Sequence, residues 1–172
     1  MTADKLDSRQ KLSLNKTLQA ALDRSAASLQ LMLGGDINIG MTPTASRTPG
    51  VCVCFGLTGA LEGGIYVDLP EKMALEIVKT LTTGRELSLL DEVARSILME
   101  LGNILASVFV GYFDEYRGLR TLPTPPALSL VPHDIPSFTA FFSATLSWSK
   151  SQERAKVFVG LDQSALDILL AG

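Results

Sequence analysis

SILMELGNILASVFVGYFDEYRGLRTLPTPPAL, residues 96–128, carries the pattern Ser96-x3-Glu100-x2-Asn103-x22-Pro126. On an α-helix, Ser96, Glu100 and Asn103 stand at i, i+4 and i+7 and point from one face. Ile97, Leu98, Leu101, Ile104, Leu105 and Val108 fill the opposite arc, the one a helix buries against a core. A carboxylate and a carboxamide one turn apart on a packed helix form a preorganised polar tool. On spacing alone, a polar stripe opposite an apolar face is most often solvated surface. Gly102 beside Asn103 suits either a close backbone approach or ordinary helix packing. Ser96 is placed to hydrogen-bond Glu100 or its own helix backbone. Pro126 has no chemistry to offer and shapes the chain as it enters the next strand.

Outward from this stretch, the hydrophobic periods predict the remaining elements. Arg9 to Leu33 reads as a long helix with Leu14, Leu18, Ala21, Leu22, Leu29 and Leu33 on its apolar stripe, stopped by Gly34 and Gly35. Residues 1 to 8 are polar and expected to be frayed or disordered. Ile37 to Met41 is a short strand, and TPTASRTPG is a loop. Val51–Leu57 and Leu61–Leu69 form a hairpin, and Pro70 opens a helix to about Thr82. Ser88 and Asp91 offer capping groups for the helix from about Leu89 to Tyr116, which Gly118 closes. Three strands follow, Ala127–Val131, Phe138–Ser149 and Ala155–Leu161, then a final helix, Gln163–Ala171. Helix, three strands, helix is therefore written twice. The expected fold is α/β (α+β): a pseudo-twofold duplication with a mostly antiparallel sheet and long helices on a face of it.

With 172 residues and 47% hydrophobic content, the chain is long enough for one filled core. A net charge of -3 argues against nonspecific nucleic-acid binding, which needs concentrated Lys and Arg. No 18-residue apolar run spans a bilayer, and the start MTADKLDSRQK lacks a signal peptide's apolar stretch, so a cytoplasmic protein without membrane insertion is expected. Cys52 and Cys54 alternate in a strand-like run and read as two reduced, buried thiols, since no neighbouring Cys or His completes a metal site. His133, the only histidine, lies in a Pro-flanked loop with no nucleophile setting around it.

The pattern at Ser96, Glu100, Asn103 and Pro126 resembles the signature of the CheC/CheX/FliY chemotaxis phosphatases: Asp or Ser, three residues, Glu, two residues, Asn, then 22 residues to Pro. LSLLDE before the helix, MELGNIL within it and PTPPAL after it are similar too, as is LEGGIYVDLPEKMAL (Leu61 to Leu75) to the family's GGI-x4-P-x3-A segment. The resemblance covers about residues 9 to 171, a single CheC-like domain. It implies a six-stranded sheet whose two signature helices are related by pseudo-twofold symmetry. It also implies hydrolysis of the phosphoaspartate on a response-regulator receiver domain such as phosphorylated CheY. Asn103 would hold the attacking water and Glu100 would pair with the partner's lysine, supported by Ser96, Gly102 and Pro126. No cofactor of its own is implied; Mg2+ is expected on the receiver.

Relatives often carry the signature on both long helices. Here the first helix reads Ser8-x3-Leu12-x2-Asn15, with Asn38 where the proline would stand, so Leu12 replaces the acid and a single working site is expected. The alternative is a weakly catalytic or non-catalytic module that docks CheD, a flagellar-switch protein or a receiver. Exposed sheet edges would also permit a homodimer.

Overall fold

The computed structural model describes residues 6–43, 45–131 and 134–172, so His133 lies outside the described residues. Four helices and seven strands follow in the order α1 (Ser8–Leu33), β1 (Ile37–Thr42), β2 (Val51–Gly59), β3 (Gly63–Leu69), α2 (Glu71–Leu81), α3 (Glu92–Arg117), β4 (Thr121–Pro123), β5 (Ala127–Ser129), β6 (Ala140–Trp148), β7 (Arg154–Leu161) and α4 (Gln163–Ala171). Every strand pair is antiparallel.

The sheet runs β1-β6-β7-β3-β2-β4, with β5 also paired to β2. Read from either edge, the order is the same once the halves are exchanged, so the duplication expected from the sequence is present. The sixth position, however, is shared by two short strands. β4 meets β2 through Leu57↔Pro123 and β5 through Cys54↔Ala127, so Phe55 and Gly56 face three residues, Thr124, Pro125 and Pro126. One extra residue in an edge strand is a β-bulge. Thr124 bridges the break: its N–H donates to Gly56 O and its Oγ1 accepts from Gly56 N–H, both at 2.8 Å. Proline cannot donate to a ladder, which is why the strand breaks where Pro123, Pro125 and Pro126 cluster.

Alternation along the strands separates two faces. Val53, Phe55, Ile65, Val67, Val157 and Val159 turn toward one core shared with buried residues of all four helices, including Leu18, Met73, Phe109 and Leu166. Cys52, Tyr66 and Phe158 turn the other way, under Ala45, Ile135 and Phe138 of the loops. Asp68 sits on this second face with its side chain 1% exposed, taken up by Arg47 through Nε at 2.5 Å and Nη2 at 2.9 Å. The Thr48 N–H adds a third bond at 3.2 Å. Hydrogen bonding to Asp68 raises the Arg47 guanidinium above its ordinary pKa, against the opposing effect of burial. This carboxylate ties the β1–β2 loop onto the sheet.

Three expectations change. Residues 6–8 do not fray: Leu6 is buried, and Asp7 and Gln10 form a capping box that starts α1. Cys54 is half-buried rather than buried. α3 does reach the length and mean apolarity of a membrane span; its Leu98, Leu101, Leu105, Phe109 and Phe113 are buried against the sheet and α1.

Replacing Arg47 by Ala leaves Asp68 buried without its cation and is expected to cost about 3 kcal/mol, read by denaturant unfolding. Burial pushes the Cys52 thiol up to about 12. Alkylation needs the thiolate, so at about pH 8 Cys52 should resist iodoacetamide in the folded protein and react after unfolding, as peptide mass spectrometry would show.

Candidate functional site

α3 begins at Asp91, whose carboxylate accepts from the Val93 N–H at 2.9 Å, and ends at Gly118 in the left-handed conformation with φ 62°. Between these caps the helix lies over β2, β4 and β5. At Gly102 it lies close against β2: a Cβ built there would stand 2.7 Å from Val53 Cγ1 and 2.9 Å from Phe55 Cζ. Both alternatives for Gly102 thus resolve to one: it lets the helix backbone settle on the strand. The buried stripe is Ala94, Leu98, Leu101, Gly102, Leu105, Ala106, Phe109, Val110 and Phe113. Ile97, Ile104 and Val108, expected on that stripe, are only half-buried because the contact centres on Gly102.

With that face spent on the sheet, the other face is oriented outward. Ser96 and Glu100 are exposed, and Asn103 is half-buried beside the contact with β2. None of the three makes a hydrogen bond or ion pair with any described residue. Ser96 therefore bonds neither Glu100 nor its helix backbone. Pro126, half-buried, occupies the bulge between β4 and β5, the edge over which α3 runs. Ser96 and Glu100 also border a groove of about 560 Å³. Among the described residues no group of three or more His, Cys, Asp or Glu is arranged to hold a metal ion.

The first half departs from the reading that paired Asn15 with Asn103 and Leu12 with Glu100. α1 and α3 are both 26 residues long, and matching their N-caps Asp7 and Asp91 brings their buried stripes into register. Leu14, Leu18, Ala21, Leu22, Ala26 and Leu29 then fall on Leu98, Gly102, Leu105, Ala106, Val110 and Phe113. The counterparts of Ser96, Glu100 and Asn103 are Leu12, Lys16 and Gln19, and Asn15 lies one turn too early. The ladders agree: Ala144 is the counterpart of Phe55 and pairs with Met41, so Met41, not Asn38, lies where the second half has the bulge that holds Pro126. Sequence comparison matched amide to amide, whereas burial fixes which residues share a position.

Gln19 is fully engaged. Its Nε2 donates to Ile39 O and to Asp23 Oδ1, each at 2.7 Å, and its Oε1 accepts from Met41 N–H at 2.8 Å. It fastens α1 to the edge strand β1, while Lys16 reverses the charge found at Glu100. At the positions that match Glu100 and Asn103, α1 therefore carries a lysine and an engaged amide.

The fold is a duplicated α/β domain that presents an unpaired acid and amide from one of two related helices. Residues 51–142, more than half of the chain, match the family model for chemotaxis phosphatase CheX, and the chain belongs to that family. A curated relative, the CheY-P phosphatase CheX of Thermotoga maritima, is 34% identical over 73 residues. That match takes in 42% of this chain and 46% of the relative, less than half its length. Among solved structures, the CheX–CheY–BeF3–Mg2+ complex from Borrelia burgdorferi matches with a TM-score of 0.68 and 25% identity, over 86% of this chain and 98% of that one. FliY from Thermotoga maritima matches with a TM-score of 0.74 over 97% and 96% of the two chains; at 18% identity it bears on the fold.

Gly102→Ala tests the seating of α3. Alanine gains helix propensity, but its methyl overlaps Val53 and Phe55, both buried. A net loss of about 1–2 kcal/mol is expected in equilibrium unfolding.

Proposed function

We propose that this chain is an aspartyl-phosphate phosphatase acting on the phosphorylated receiver domain of a CheY-like response regulator in cytoplasmic chemotaxis signalling. The observation that carries this reading is the pair Glu100 and Asn103, presented one turn apart from a helix fixed at Gly102 and left without partners among the described residues. Membership of the CheX family supports it, as does the Borrelia burgdorferi relative's structure as a complex with CheY, BeF3 and Mg2+.

Phosphoryl transfer asks a protein mainly for positioning and charge stabilisation. The receiver brings the acyl phosphate, its divalent cation and a lysine. Asn103 has the right atoms for the remaining task, since a carboxamide both donates and accepts. It holds a water in line with phosphorus and opposite the aspartate leaving oxygen, without needing to be a strong base. Water attacks, the P–O bond to the aspartyl carboxylate breaks, and inorganic phosphate leaves. Glu100 meets the receiver lysine and so sets the distance between Asn103 and phosphorus. Gly102 keeps Asn103 at a fixed depth, and Pro126 shapes the edge beneath it. Lys16 and Gln19 do not repeat this chemistry: a lysine repels the receiver lysine, and the Gln19 amide is already committed to β1.

Incubating catalytic amounts of the protein with phosphorylated receiver and Mg2+, and following phosphate release, tests the reading. Asn103→Ala should slow release by about a hundredfold, the usual cost of losing alignment at the reacting atom. Glu100→Lys should raise KM, whereas Lys16→Glu should leave turnover unchanged. Stoichiometric binding without turnover by the wild-type chain would assign it a docking role instead.

A further inference from the structure

The groove beside Glu100 belongs to neither half alone. Its floor comes from three helices: Met32 in the last turn of α1, Leu81 at the end of α2, and Val93 and Ile97 in the first turns of α3. Glu92 and Glu100 border it, and neither has an ion-pair partner among the described residues. Val93 is 43% exposed, and Met32, Leu81 and Ile97 are half-buried. A lone exposed apolar side chain is ordinary, but a grouped set around a concave floor marks an interaction surface. Valine is also a poor choice for the first turn of a helix, where an acid would serve better.

We infer that this groove is the second contact of the receiver-docking surface, taking an apolar side chain of the receiver flanked by cationic groups. The inference rests on the phosphatase reading above and says which face of the receiver comes with the phosphorylation site. Charge selects the occupant: an apolar floor rimmed by two unpaired carboxylates complements an apolar anchor with Lys or Arg beside it, in a chain whose own net charge is -3. Spacing restricts it further. Val93 and Glu100 lie two turns apart on α3, so the anchor sits about 10 Å from the cation that meets Glu100. Glu100 then works in both contacts, as the rim of the groove and as the partner of the receiver lysine. The acid–amide pair acts on any phosphorylated receiver that reaches it; the groove decides which receivers do.

Val93→Asp is the decisive variant. The site is exposed and lies in the first turn of α3, where an acid suits the helix dipole, so the fold is preserved. Met32→Lys places a cation in the last turn of α1, which the dipole also tolerates. Binding is measured by calorimetry against a receiver activated with beryllofluoride and Mg2+, and turnover with the phosphorylated receiver. Both variants should raise Kd and KM at least about tenfold, the worth of one buried apolar side chain, and leave kcat at wild-type level. Asn103→Ala should do the reverse, lowering kcat with Kd little changed. Unchanged Kd and KM in Val93→Asp, with turnover still lost in Asn103→Ala, would overturn the groove and leave the phosphatase reading intact. If the wild-type chain neither binds nor dephosphorylates any receiver, both fall. A wild-type dimer that Val93→Asp converts to a monomer, with receiver affinity unaltered, would make a second copy the occupant and also overturn the inference.

Discussion

How closely α3 settles on β2 governs the rest of the molecule. A helix packed through a side chain stands off its sheet; one packed through a glycine sits against the strand and is held by ring and methyl contacts on both sides. At Gly102 those contacts are Val53 and Phe55, and both are buried. Interiors are dense enough that such a fit leaves little rotational freedom. The direction of Asn103, the next residue, is therefore inherited from the packing beneath it. The two halves solve the same interface with opposite volumes. Where α3 has Gly102 and the strand has Phe55, α1 has Leu18 and the corresponding strand position has Ala144. Each arrangement fills its space, but only one brings a helix backbone down to the sheet.

The edges differ in the same sense. In the first half an unbroken strand, β1, lies beside α1 and is stitched to it by Gln19. In the second half prolines and one inserted residue break the edge, and no side chain of α3 is spent on closing it. An amide bound to a strand stabilises; an amide left free is available to a partner. Related positions on related helices have thus been put to structural use in one half and left open in the other. The second face of the sheet contributes from the far side: Asp68 and Arg47 hold a long loop in place with a pair whose desolvation is offset by three hydrogen bonds.

Periodicity made most of the fold legible. Strands β2, β3, β6 and β7 alternate so regularly, and α3 carries its stripe so clearly, that their existence and order follow from pattern alone. The resemblance at Ser96, Glu100, Asn103 and Pro126 supplied a chemical meaning that spacing could not. Four features escaped, each for a physical reason. β4 is three residues long and ends at a proline, so it has no alternation to show. Leu6 is a single apolar residue among polar ones, and only the fold reveals that it is covered. The counterpart of Asn103 was sought by side-chain identity, one turn away from its true position, because α1 and α3 share burial rather than composition. The groove was invisible for a related reason: its floor is drawn from residues 32, 81, 93 and 97, far apart in the chain and close only when three helix ends meet.

At the pseudo-twofold axis Tyr66 faces Phe158 across β3 and β7. Were the halves separate identical subunits, that position would be one residue meeting its own copy, and their union would be governed by mass action. Joined in one chain, they associate at a local concentration that dilution does not change. The central strand pair therefore forms in a unimolecular folding step. Dilution to trace abundance leaves that union of the two halves intact.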